Sequence, residues 1–242
     1  MDIYSQIIQK SQAGQKQLAV LIDPDKHGAD DFVGLAKRMA EYPVDYFFIG
    51  GSLLSKDLLD KCLQAFKDET DVPLVIFPGS VMQVNSKADA LLFLSLISGR
   101  NADLLIGKHV ESVPYILDAG IETISTAYML IDGGRMTTAQ YISNTLPIPY
   151  DKPDIAALTA KAGEMIGMKT VYLDAGSGAK NSVSPEMIRL VKKTVAVPLI
   201  VGGGIRTSQA AAEKFEAGAD LIVIGTVLEE NESLLKEIVG VL

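Results

Sequence analysis

Short apolar runs alternate with longer amphipathic stretches along nearly the whole chain. The apolar runs are LAVLI (18–22), VDYFFIG (44–50), VPLVIF (72–77), DALLFLS (89–95), IETIST (121–126), TVYLDA (170–175), VPLIVG (197–202) and DLIVIG (220–225). Their length and β-branched content predict strands buried on both faces. Between them, residues 30–42, 102–120, 154–167, 184–195 and 207–219 carry apolar positions at helical spacing. Asp30, Asp154, Ser184 and Thr207 stand where N-caps are expected, and Pro185 suits a first helical position. A further short helix over 3–11 precedes the first strand and is expected to cover one end of the fold.

Strands alternating with helices imply parallel βα units. Eight such units in one chain predict a closed (β/α)8 TIM barrel, a single domain over 1–242, with an open doubly wound sheet as the alternative. The stretch 127–153 is the least regular and too long for an ordinary connection, which marks it as a functional or interface element.

Composition narrows the partners. The chain has 242 residues, 48% of them hydrophobic and 21% charged, enough for a sizeable core. Its net charge of -8 and the lack of a basic run speak against nucleic acid. No apolar run reaches the roughly 18 residues of a membrane span, and the N-terminus does not read as a signal peptide. The expected location is the cytoplasm. The one cysteine, Cys62, reads as core. His27 and His109 lack partners at ligand spacing, so zinc is not expected; His109, in a helical pattern, reads as surface or core.

In a barrel of this kind the chemistry sits at the C-terminal ends of the strands. There the chain reads DPDKH (23–27), GGSLLS (50–55), DAGSGA (174–179), GGGIRTS (202–208) and GTVLEEN (225–231). Glycines after the last three strands can free backbone N–H groups for phosphate oxygens beside a helix N-terminus. Gly203, Gly204, Gly225 and Thr226 would supply the donors, with Ser177 and Gly178 closing the cup. Asp23 is an oxygen ligand suited to Mg²⁺, and Ser52 is a candidate second oxygen. Equally, Asp23 and Asp25 can form a turn around Pro24 that caps the next segment. Tyr172 and Asp174 lie two apart on one strand and so share a face, which would let Asp174 take a proton from a hydroxyl that Tyr172 orients.

Taken together, LIDPDK, FIGGS, YLDAGSGA, IVGGGIRT and VIGT, in this order and at strand ends, resemble the geranylgeranylglyceryl phosphate synthase family. The resemblance implies a Mg²⁺-dependent prenyltransferase that joins sn-glycerol 1-phosphate to a prenyl diphosphate, geranylgeranyl diphosphate first among them. By the same resemblance Asp23 and Ser52 would hold Mg²⁺, and Tyr172, Leu173, Asp174, Ala175, Gly176, Ser177, Gly178, Gly203, Gly204, Gly225 and Thr226 would bind glycerol 1-phosphate. Asp174 stands where many members carry glutamate, and Leu21 where some bacterial relatives carry a lysine. Because donor and product would be lipids, transient contact with the membrane is expected, and a homo-oligomer is expected as well. The alternative is a phosphosugar isomerase or lyase, which shares the phosphate cup on the same barrel.

Overall fold

The computed structural model describes residues 2–225 and 233–240. Eight parallel strands close into a barrel in chain order: β1 (Gln17–Ile22), β2 (Tyr46–Ile49), β3 (Leu74–Ile76), β4 (Ala90–Leu96), β5 (Glu122–Leu130), β6 (Thr170–Asp174), β7 (Leu199–Gly202) and β8 (Leu221–Ile224). β8 pairs with β1, so no open edge remains among the described strands and the open-sheet alternative is excluded. The helices are α1 (Ile3–Gln12), α2 (Phe32–Ala40), α3 (Leu59–Glu69), α4 (Lys108–Ala119), α5 (Thr138–Ser143), α6 (Pro153–Met165), α7 (Pro185–Thr194), α8 (Ser208–Glu216) and α9 (Ser233–Val239).

Period-two alternation divides the core into two layers. Ala19, Tyr46, Val75, Leu92, Tyr128, Tyr172 and Ile200 fill the barrel interior. Leu18, Phe47, Leu91, Met129, Leu173 and Val201 point outward to the helices. At the N-terminal end α1 plugs the barrel as expected: Ile3 and Ile7 pack into the inner layer, and the Ile3 and Tyr4 N–H groups donate to the Glu122 carboxylate at 2.6 and 2.9 Å. That carboxylate faces the positive end of the helix dipole.

Local departures from the sequence reading have identifiable causes. Ser184 and Thr207 accept the Met187 and Ala210 N–H groups as N-caps, at 3.2 and 3.0 Å, and Pro185 takes the first turn. Asp154 lies inside α6 behind Pro153, and Asp30 lies ahead of a helix whose first turn has no side-chain cap, so these two do not cap. The predicted helix over 102–120 begins as a five-residue π-turn, Asp103–Gly107, before α4. β5 continues four residues beyond the predicted 126 to Leu130, held by β6 through pairs up to Leu130↔Asp174. The rest of the irregular stretch contains α5 and a single bridge between Ile131 and Ile148.

Candidate active site

The end of β6 carries a deeply set carboxylate. Tyr172 and Asp174 point inward, whereas the side chain of Leu173 is wholly buried in the outer layer and cannot reach a ligand in the barrel mouth. Asp174 is only 7% exposed. Its Oδ1 accepts the Gly176 N–H at 2.7 Å and its Oδ2 accepts the Tyr128 hydroxyl at 2.6 Å. Burial pushes its pKa above the usual carboxylate value, and the two hydrogen bonds oppose that shift. Burial, with Asp174 nearby, drives both tyrosine pKa values far up, so Tyr128 and Tyr172 stay neutral.

Tyr128 is the residue the sequence reading missed. It sits opposite Tyr172 in register on β5, with the rings edge to face at 5.5 Å, and Phe77 stacks on Tyr172 at 5.4 Å. The side chain hydrogen-bonded to Asp174 is thus Tyr128. Continued alternation through TAYML (126–130) was the available signal.

The glycine that ends β7 and the two that follow it have three different reasons. At Gly202 a Cβ would meet the Tyr172 hydroxyl at 2.5 Å; at Gly203 it would meet Asp174 Oδ1 at 2.7 Å. Gly203 and Gly204 have φ of 82° and 71°, a left-handed conformation that costs other residues. Gly176 and Gly178, at 88° and 71°, shape the β6 side in the same way. The N–H groups of Gly178, Gly203 and Gly204 make no backbone bond to another described residue. Those of Ala175 and Gly176 are already given to the Gly202 carbonyl and Asp174, which removes them as donors to a ligand. Gly225 lies beside Leu21, and Thr226 lies outside the described residues.

The irregular stretch completes this cup. The Gly133 carbonyl accepts the Lys180 and Asn181 N–H groups at 2.9 and 3.0 Å, and Thr137 packs where a Cβ on Gly176 would fall. Two guanidinium groups rim it: Arg206 donates to the Ala179 carbonyl at 2.8 Å, and Arg135 lies beside Gly178. Exposed Ser177 and the N-terminus of α8 adjoin it. In a chain of net charge -8, the positive charge here is local rather than a broad basic surface.

Across the barrel mouth, the two aspartates of DPD have separate duties. Asp25 accepts the Ser55 N–H at 2.5 Å, the Ser55 hydroxyl at 2.7 Å and the Lys56 N–H at 3.2 Å, so it ties the β1 loop to the β2 loop. Asp23 Oδ1 accepts the Asp25 N–H at 3.1 Å, the turn that the sequence allowed. Its carboxylate lies against the Gly51 backbone, where a Cβ would come within 3.2 Å of both oxygens. Burial raises the Asp23 pKa, only partly countered by the Asp25 N–H and Lys26. Ser52 is half-buried on the next loop. Among the described residues no three His, Cys, Asp or Glu side chains gather. A half-buried carboxylate against the Gly51 backbone, with Ser52 next along the chain, is the donor set a hard cation accepts when it keeps waters and takes the rest of its oxygens from a substrate.

From Ser52 a mainly apolar cavity of about 440 Å³ runs past Phe77 and Tyr128, over β4, to α4. Both faces of β4 contribute, Leu92 and Leu94 from the inner side and Leu91 and Phe93 from the outer. A buried carboxylate, a glycine-rich cup rimmed by two guanidinium groups, a second, half-buried carboxylate and a long apolar groove therefore meet at one end of the barrel.

The profile of the PcrB family matches residues 11–242. The chain belongs to the PcrB family. Its relatives include the geranylgeranylglyceryl phosphate synthases of Chitinophaga pinensis, 54% identical over 97% of this chain and 93% of that one, and of the archaeon Methanosphaera stadtmanae, 40% identical over 90% and 89%. The crystal structure of (S)-3-O-geranylgeranylglyceryl phosphate synthase from Thermoplasma acidophilum, in complex with sn-glycerol-1-phosphate, superposes with a TM-score of 0.93 at 33% identity, covering 100% of this chain and 98% of that one. An N-acetylmannosamine-6-phosphate 2-epimerase from Clostridium perfringens shares the barrel at 15% identity and a TM-score of 0.56, a likeness of fold alone. This PcrB-family chain is an enzyme of the prenyltransferase class.

Proposed function

We propose that the enzyme transfers a prenyl group, geranylgeranyl as the first candidate, from its diphosphate to the 3-hydroxyl of sn-glycerol 1-phosphate, with Mg²⁺ as cofactor. The observation that carries the reading is Asp174: a buried carboxylate, one oxygen fixed by Gly176 and the other by Tyr128, set at the foot of an anion cup. The cup holds the glycerol phosphate through the N–H groups of Gly178, Gly203 and Gly204, and Ser177, Gly225 and Thr226 complete it. Asp174 then accepts the proton of the attacking hydroxyl, with Tyr128 steadying the carboxylate and Tyr172 walling the site. Burial favours this role, because a carboxylate of raised pKa is a better base.

Asp23 and Ser52 would hold Mg²⁺; when bound, the ion supplies neutralising charge to the departing diphosphate. The apolar groove starting at Ser52 takes the hydrocarbon, which puts the allylic carbon between the two sites. The bond formed is the ether C–O bond; the bond broken is that between carbon and diphosphate.

The same reading has the protein at work in the cytoplasm, touching membrane lipids transiently. No described helix is long and apolar enough to cross a membrane. A homo-oligomer is proposed on the exposed Val110, Val113 and Leu117 of α4 and Ile155, Leu158 and Met165 of α6.

Purified protein given labelled sn-glycerol 1-phosphate, Mg²⁺ and a series of prenyl diphosphates should move label into an organic-extractable phospholipid. Metal-independent turnover of an aminosugar phosphate, with no such lipid formed, would overturn the reading. Two substitutions probe the cup. Gly203→Ala places a methyl against Asp174 and strains the left-handed backbone, so KM for glycerol phosphate should rise about tenfold or more, with a smaller change for the diphosphate. Tyr128→Phe removes a hydrogen bond that favours the charged carboxylate. It should lower kcat/KM at neutral pH by about tenfold and move the acid limb of its pH profile upward. An unmoved limb would separate Tyr128 from the base.

A further inference from the structure

Three aromatic side chains gather where the groove passes from the β2 loop toward Asp174. Phe77, just past the end of β3, packs with the inner layer and lines the groove, as Ser52 and Tyr128 do. Tyr172 stacks on it at 5.4 Å with 16° between the planes, and Tyr128 meets it edge to face at 5.8 Å. Both tyrosine hydroxyls are directed elsewhere: that of Tyr128 donates to Asp174 Oδ2 at 2.6 Å, and that of Tyr172 lies against Gly202 on β7. Phe77 has no such oxygen. Its loop is also fixed to the β2 loop. Gln83, 4% exposed, accepts the Gly79 N–H through Oε1 and donates to the Gly51 carbonyl through Nε2, each at 3.1 Å. A Cβ on Gly50 would strike the Phe77 carbonyl at 2.3 Å, so only glycine there lets the two strand ends come this close.

We propose that Phe77 is a catalytic residue of the transfer: its ring, backed by Tyr172, is the π surface against which positive charge develops on the allylic carbon of the donor. This rests on the prenyltransferase reading above and deepens it. In that reading the C–O bond to diphosphate breaks and its electron pair leaves with the diphosphate. The glycerol hydroxyl oxygen supplies the pair for the new ether bond, and its proton passes to Asp174. Where breaking runs ahead of making, the allylic carbon is positive in the transition state. A water or a free hydroxyl beside it would capture that charge as well as stabilise it. An aromatic face attracts a cation through its quadrupole and offers no lone pair, and the attraction is strongest where water is excluded. Tyr172 covers one face of Phe77 and leaves the other to the donor, while the oxygen of Tyr128 is held on Asp174. Two anchors set the ring in place. Gln83 ties its loop to Gly51, which lies against Asp23, and Tyr172 ties the ring to the strand that ends in Asp174. The charge exists in the transition state and not in the bound donor, so the ring acts on the rate of transfer rather than on binding.

Phenylalanine analogues carrying one, two and three ring fluorines at position 77 keep the shape of the ring and weaken the negative potential of its face step by step. Single-turnover rates of ether formation from geranylgeranyl diphosphate should fall about two- to threefold with each fluorine, in a straight line on a logarithmic scale. The concentration of glycerol 1-phosphate giving half the maximal rate should stay within about twofold of wild type. Phe77→Leu, apolar but without a π surface, should lower the same rate by about tenfold or more. A flat fluorine series overturns the proposal whatever Phe77→Leu does, because a ring that only shapes the groove is insensitive to its own electronics. A second measurement needs no variant. Donor with fluorine at carbon 2, which destabilises an allylic cation, should react about a hundredfold more slowly with the wild-type protein in the same assay. A slowing of less than about tenfold leaves no cation for the ring to stabilise and also overturns the proposal. Wild-type transfer with a flat fluorine series defeats this proposal alone, whereas wild-type protein that forms no ether lipid from any prenyl diphosphate defeats the functional reading and the proposal with it.

Discussion

Replacing Asp174 by asparagine should lower kcat for prenyl transfer by about 10²- to 10⁴-fold, the usual contribution of a positioned base, while leaving the fold as stable as before or more so. The two effects come from one cause. Asp174 is buried, and burial raises its pKa in the folded protein above its unfolded value. Such a group adds stability that is fully present below its unfolded pKa and is lost as pH rises through its folded pKa. At neutral pH the charged carboxylate therefore weighs against the fold. Asparagine removes that charge and can still accept the Gly176 N–H through its amide oxygen. Thermal melts should show the variant gaining on the wild type between acid and neutral pH, and kcat measured on the same samples should collapse. A variant keeping more than a tenth of wild-type kcat would remove Asp174 as the base.

What the sequence made legible was set by short-range periodicity. All eight strands could be read because each is a brief apolar run buried on both faces, bounded by turn residues. Since a barrel carries its site at strand ends, the loops at 23, 52, 174 and 203 could be named before any fold was seen. Asp174 and its inward direction followed from alternation alone. Tyr128 was missed because β5 was read as ending at 126: the residues after it belong to a stretch whose later part is irregular, and only pairing with β6 shows that the strand runs on. Its bond to Asp174 spans 46 residues of sequence, which no local pattern encodes.

The glycines show the opposite limit. Three in a row signalled close approach, but not to what. Gly202 makes room for Tyr172 and Gly203 for Asp174, so part of the signal is the protein packing on itself in order to aim its own side chains. Likewise Leu173 was swept in with its neighbours by motif, though a one-residue step on a strand turns a side chain to the other face. His109, read as surface or core, is buried; its place in the groove wall could not be read, because the groove exists only once α4 is laid across β4.

The largest remaining effect is expected at the cation side. Asp23→Asn should reduce prenyl transfer by on the order of a hundredfold or more, by withdrawing the one negative ligand from the Mg²⁺ site proposed at Asp23 and Ser52. Asparagine keeps the oxygen that accepts the Asp25 N–H, so the turn after β1 should survive. It also relieves the burial of a charge at a position where burial raises the carboxylate pKa, so melting temperature at neutral pH should not fall. The glycerol phosphate cup is built from the β6, β7 and β8 ends, and calorimetric binding of glycerol 1-phosphate should stay within about threefold of wild type. Asp25→Asn provides the contrast: its carboxylate accepts three hydrogen bonds from Ser55 and Lys56, which outweigh burial and hold its pKa below the usual carboxylate value, and weakening them should lower stability first and metal dependence little. Turnover measured across a Mg²⁺ titration separates the cases. If Asp23→Asn reaches wild-type turnover at saturating Mg²⁺, or if Asp25→Asn shows the same loss without loss of stability, the metal belongs elsewhere.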